Sequence, residues 1–122
     1  MKKNAVGIGT SNLEFINILL TYYPVDIEEN FDIYFFVDTK KVSIDQVKEV
    51  VSNHDVPIFH EATYVDVQEL YEYYALKHNY TGKAKKFLFE HGAMFKVLMP
   101  IYLNEKFGVE RTYTSDDDVF IF

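Results

Sequence analysis

Three carboxylates stand in a row near the end of the sequence, Asp116, Asp117 and Asp118, preceded by Tyr113-Thr114-Ser115 and followed by Val119-Phe120-Ile121-Phe122. Acids set between two apolar, strand-like segments are not ordinary surface charge. If Asp116 and Asp118 turn to the same side, each raises the pKa of the other unless a cation sits between them. Hard carboxylate oxygens of this kind suit Mg2+ or Mn2+, which complete their shells with phosphate oxygens and water rather than a full protein cage. The competing reading is a solvated acidic turn. Such a turn does not require the apolar run at residues 119–122, whereas acids at the carboxyl end of a strand lie where α/β sheets hold ligands.

Two further groups could serve the same chemistry. Val6-Gly7-Ile8-Gly9-Thr10-Ser11-Asn12 closes the first apolar run. Its glycines permit close backbone approach, and the helix start that follows presents N–H groups to an anion. Asn12 stands where the dinucleotide fingerprint has its third glycine, which argues against a nicotinamide cofactor, and a plain turn with Thr10 or Ser11 capping the helix is the alternative. Lys96 falls one helical turn beyond Gly92 and Ala93, on a face with little bulk above it, where an ammonium can neutralise phosphate oxygens; the simpler role is a lysine snorkelling from a helix surface.

Other titratable groups carry less. Lys83, Lys85 and Lys86 follow Gly82 as a solvated helix start, and the upstream glycine of a P-loop is missing. His91 falls in an apolar stripe, and His54, His60 and His78 share no metal-ligand spacing. The absence of cysteine excludes disulfides, zinc thiolates and a thiol nucleophile.

The elements that must position these residues read as strand, helix, strand, helix, strand, two helical stretches and a final strand pair, the order of an α/β fold with a mostly parallel sheet flanked by helices. Residues 5–9 form the first strand. Leu13, Ile16, Leu20 and Tyr23 make one helical face that Pro24 closes. Residues 31–37 are nearly continuous apolar, as in a central strand covered on both sides. Ser43 caps a helix with the stripe Ile44, Val47, Val50 and Val51. Residues 56–59, with Pro57 early, form a short edge strand. Val67, Leu70, Tyr74 and Lys77 share one side of a helix ending near Asn79. A further helix carries Ala84, Phe87, Leu88, His91, Phe95, Leu98 and Tyr102, with Pro100 kinking or ending it. Gly108 reopens the chain into the strand that holds the aspartates.

With 122 residues, 48% hydrophobic and 17% aromatic, the chain has enough apolar area for one domain spanning residues 1–122. Nineteen acidic against twelve scattered basic residues give a net charge of −7, a poor footprint for nucleic acid. Met1-Lys2-Lys3-Asn4 leads into a strand rather than a signal-peptide run, and no apolar stretch reaches membrane-span length, so a soluble, cytoplasmic protein is expected.

Taken together, the Asp116–Asp118 cluster after a strand, the Lys96 helix before it and the Gly-Thr-Ser-Asn loop resemble the GT-A glycosyltransferases, and most closely family 8, the glycogenin-like and galactosyltransferase-like group. The resemblance implies a Rossmann-like domain for a nucleotide-sugar, a UDP-sugar above all. Asp116-Asp117-Asp118 occupies the family's Asp-x-Asp, whose outer aspartates coordinate manganese, or magnesium, and the donor diphosphate. Lys96-Val97-Leu98 stands for the lysine on the preceding helix, and Lys86 is the nearest match for a basic residue roughly three turns earlier. Gly9-Thr10-Ser11-Asn12 corresponds to the family's Ala-Thr-Asn-Asp nucleoside loop, with Thr10 the closest identity. Asp38, after the second strand, faces the base or caps the next segment. The aromatic that packs on uracil has no secure counterpart, since Glu14 takes its place beside Phe15. The likeness covers only the donor-binding half of that fold, ending just after the acidic motif. On this reading the isolated chain is inactive or nearly so, its acceptor is unknown, and self-association or a partner chain completes it. The alternatives are a non-catalytic nucleotide-sugar binding module, half of a split enzyme, a nucleotidyltransferase built on the same acids, or a purely structural interaction domain.

Overall fold

The computed structural model describes residues 4–22, 31–90 and 95–116, with Glu90, Phe95, Lys96, Ser115 and Asp116 described by their backbone alone. The element order is β1 (Asn4–Thr10), α1 (Leu13–Tyr22), β2 (Phe31–Val37), α2 (Ile44–Ser52), α3 (Pro57–His60), β3 (Thr63–Asp66), α4 (Val67–Lys77), α5 (Gly82–Glu90), α6 (Phe95–Phe107) and β4 (Arg111–Asp116). The strands form one sheet in the order β3-β2-β1-β4, and every pairing is parallel. Helices cover both faces, so the domain is an α/β, Rossmann-like fold.

The period-2 geometry of β2 sorts its side chains between two cores. Ile33, Phe35 and Val37 pack with Ile16, Leu19 and Leu20 of α1, Val47 and Val51 of α2 and Phe59 of α3. Tyr34 and Phe36 pack on the other face with Leu70 and Tyr71 of α4 and with Leu98, Met99 and Leu103 of α6. This double burial is what the unbroken apolar run predicts for a central parallel strand.

Helix α2 begins as its sequence requires. Ser43 Oγ accepts from the Gln46 N–H while the Gln46 side chain accepts from the Ser43 N–H, a reciprocal capping box. The α1 cap differs from expectation. It is Asn12, not Thr10 or Ser11, whose Oδ1 accepts from the N–H groups of Glu14 and Phe15 at 2.9 and 3.2 Å.

The third strand is also displaced. Residues 56–59 do not form it; Pro57 instead opens the short helix α3, because its fixed φ and missing N–H suit a first helical turn better than a ladder. The strand follows at Thr63–Asp66, at the sheet edge where a third strand was expected.

Two helix faces need correction. In α4 the buried side is Val67, Leu70, Tyr71 and Ala75, while Tyr74 is half-buried and Lys77 exposed. The helix is turned so that its apolar side meets both the sheet and α6. In α5 Leu88 is buried, but Ala84 and Phe87 are exposed, because among the described elements α5 packs chiefly on α4. Pro100 does not end α6, which runs on to Phe107. Standing in the second turn, it forgoes one hydrogen bond, and Leu98, Met99, Tyr102 and Leu103 bury the turns on either side. Gly108 then closes the helix at φ 70°. Its N–H and that of Val109 donate to the carbonyls of Asn104 and Leu103. Tyr23, Pro24 and His91 lie outside the described residues, and so does the side chain of Phe95.

Candidate ligand site at the carboxyl edge of the sheet

All four strands point the same way, so their carboxyl ends form one edge. Thr10 pairs with Val37, Val37 pairs with Asp66, and Gly9 pairs with Asp116. With strands about 4.8 Å apart, the Asp116 backbone lies roughly one spacing from the residue 9–12 loop and about 10 Å from the end of β2. The chain lays β2 and β3 on one side of β1 and β4 on the other. That reversal falls between β1 and β4. Connections leaving adjacent strands in opposite directions open a crevice there, the place where open α/β sheets hold ligands. The residue 9–12 loop and Asp116 form its two lips.

Within the loop, Thr10 is an organiser. It is 2% exposed, its Oγ1 donates to the Ile8 carbonyl at 3.3 Å, and its own carbonyl accepts from the Asp38 N–H at 2.8 Å. The Asn12 cap already occupies two N–H groups of the α1 terminus, so the helix start is less open to an anion than the sequence suggests. Ser11 is half-buried beside it.

Asp38, also half-buried, builds the turn after β2. Its Oδ1 accepts from the Lys40 N–H, and its carbonyl accepts from the N–H groups of Lys41 and Val42. Sequence reasoning missed Asp66. Its Oδ1 accepts from the Gln68 N–H, capping α4, and from the Thr39 hydroxyl, each at 2.8 Å. This joins the turn after β2 to the third strand end. The signal was an aspartate directly before a helical stripe.

The two lysines arrive from the other layer. A short connection at residues 108–110 joins α6 to β4, so α6 runs antiparallel to that strand and its first turn, holding the Lys96 backbone, lies at the carboxyl edge. The Phe89 carbonyl at the far end of α5 accepts from Lys40 Nζ at 3.3 Å, which brings α5 to the same edge. Lys86 is about one turn below it, exposed, in a groove of about 310 Å3 shared with Glu72 and Lys85. Lys85 pairs there with Glu72 at 3.0 Å.

The edge therefore gathers Gly9, Thr10, Ser11, Asn12 and Asp38 with the backbones of Lys96 and Asp116, and it leaves Lys86 a turn away. Asp117 and Asp118 lie outside the described residues, as does the side chain of Asp116. Among the described residues no group of three or more His, Cys, Asp or Glu is arranged to hold a metal, and no helix is long and apolar enough to cross a membrane.

Gly7, part of the glycine-bearing run, serves packing instead of ligand approach. A Cβ there would stand 2.7 Å from Met99 Sδ and 3.3 Å from Phe36 Cε2, so the missing side chain lets α6 lie close on β1. Comparison with protein-family models, with curated proteins and with solved structures returns no match.

Proposed function

We propose that the chain is the donor-binding part of a metal-dependent glycosyltransferase that takes a nucleotide-sugar, with a UDP-sugar the leading candidate. The observation that carries this reading is the register that sets Asp116 beside the residue 9–12 loop across the switch point of a parallel sheet. A diphosphate bridges such a crevice, between a loop that places the nucleoside and acids that hold a divalent ion.

Asp116 and Asp118 are the residues that would hold Mn2+ or Mg2+. Carboxylate oxygens are the hard donors these ions prefer, and when bound the ion supplies Lewis-acid assistance to departure of the nucleoside diphosphate. The loop from Gly9 to Asn12 places the nucleoside, and Asp38 accepts a hydrogen bond from its ribose or base. Lys96 adds positive charge on the leaving diphosphate, with Lys86 behind it and Asp117 at the donor. These groups position the donor and stabilise charge; the acceptor and the groups that direct it belong to a part of the reaction this edge does not contain. A non-catalytic nucleotide-sugar module is the second reading. What favours it is that the described edge residues are structural or charge-bearing, with the Thr10 hydroxyl already committed to the Ile8 carbonyl.

The test is calorimetric titration of UDP with and without Mn2+, repeated with Asp118→Asn. Metal-dependent binding that the substitution abolishes supports the donor site, and metal-independent binding points to a plain nucleotide module. Binding of nucleoside triphosphates in preference to nucleotide-sugars points to nucleotidyl transfer. Failure of UDP to bind under any of these conditions rejects the donor site.

A further inference from the structure

Away from the carboxyl edge, a second concavity of about 560 Å3 opens between α2, α3 and the outer strand β3. That is the size of a small-molecule site. Val51 and Phe59, 3% and 1% exposed, lie beneath it, and the apolar surface it presents is Ala62 and Tyr64, both half-buried. One wall is Tyr64, whose ring is fixed by stacking on Phe35 at 5.3 Å between centroids and 21° between planes. The Tyr64 phenol is a hydroxyl donor at neutral pH, and burial pushes its pKa further up.

The polar side chains around the rim are Lys48, Ser52, His60 and Tyr64. Lys48 Nζ lies 5.3 Å from the Tyr64 ring centroid and forms no ion pair among the described residues. His60 is on the same rim, with Nε2 donating to the His54 carbonyl at 2.6 Å, which fixes the ring. Among the described residues no acidic side chain lines this concavity, in a chain with nineteen acids against twelve bases. A cation without an acidic neighbour, a neutral donor and a half-buried aromatic ring complement one kind of ligand.

We propose that this concavity binds a small carboxylate with a flat apolar body. The body rests on Ala62 and the Tyr64 ring, backed from below by Val51 and Phe59, and the carboxylate meets the Lys48 ammonium with the Tyr64 hydroxyl as a second donor. The charge-assisted contact sets specificity for the anion, while the Ala62 and Tyr64 surface selects for a ligand with an apolar body.

Amide chemical-shift titration of the 15N-labelled chain with benzoate and with benzamide tests this. The expected result is saturable shifts for benzoate at Val51, Ser52, Ala62 and Tyr64, with benzamide about ten-fold weaker or more, the weight of one hydrogen bond to a charged group. Lys48→Met should weaken benzoate by a similar factor and leave benzamide unchanged, and Lys48→Arg should retain benzoate binding. Lys48 is exposed, so these variants keep the fold, and unchanged spectra elsewhere confirm it. Absence of saturable shifts, an equal response to benzamide, or undiminished benzoate binding by Lys48→Met overturns the proposal.

Discussion

Replacing Gly7 by alanine separates packing from ligand approach as the reason for glycine in β1. The new Cβ would sit 2.7 Å from Met99 Sδ, whereas an ordinary contact needs about 3.5–4.0 Å. Met99 must therefore retreat by about an ångström. It is wholly buried, and Phe36, 3.3 Å from the same position, is wholly buried too, so the shift must be taken up within the core. Overpacking of this kind costs about 1–3 kcal/mol. The reduced freedom of the unfolded chain returns about 0.5–1 kcal/mol. The net is a loss of up to about 2.5 kcal/mol, which for a domain of this size lowers Tm by up to about 10 °C. Urea unfolding followed by circular dichroism, on the wild type, Gly7→Ala, Met99→Ala and the double variant, measures it. Once Met99 is truncated the added methyl has room, so the overpacking should vanish while the unfolded-chain gain remains, giving a coupling of about 1–3 kcal/mol. A Gly7→Ala protein with wild-type stability and no coupling to Met99, but with lost nucleotide binding, would refute the packing account and return Gly7 to the ligand.

Asn12→Ala should destabilise the chain by about 1 kcal/mol, because it removes the acceptor of two α1 N–H groups, and Asn12→Asp should restore most of it; equal urea midpoints for all three would remove Asn12 as the cap. Stability should also fall in alkali. The pKa values of Tyr34, Tyr64 and Tyr102 are raised in the folded chain, first by burial, and for Tyr34 and Tyr102 also by the Asp32 and Glu69 carboxylates respectively. Groups raised on folding contribute stability that is complete below the unfolded value of about 10 and is lost as pH rises through the folded values. Urea midpoints should therefore decline above about pH 10, and Tyr34→Phe should flatten part of that decline. A slope that Tyr34→Phe leaves unchanged would show that Tyr34 does not contribute.

The fold was legible wherever local pattern and burial agree. The run at residues 31–37 is apolar on both sides because both sides of β2 are covered, and the Ser43 box needs only the four residues that make it. The third strand was misread because a short apolar run can be an edge strand or a helical turn; Pro57 favours the turn, and the turn carries Phe59 to Phe35, with ring centroids 5.9 Å apart. The faces of α4 and α5 were misread because both are nearly ambiguous in sequence, and their rotation is chosen by neighbours distant in the chain. Of the site, the glycine loop, Asp38 and the strand-end acids announce themselves by type. Asp66 does not, since a capping aspartate looks the same on any helix.

By itself the sequence determined what is local: an alternation of strands and helices, some of their caps and breaks, an acidic motif flanked by apolar segments, and a composition with ample apolar area to bury. Only the tertiary structure decided that β4 pairs with β1 on the side opposite β2, which brings Asp116 next to a loop more than a hundred residues earlier. It also decided that Gly7 faces Met99 and that Lys48 lies over Tyr64. Such pairings are chosen by the combined burial of both sheet faces, a free energy that belongs to the whole chain and that no short segment carries.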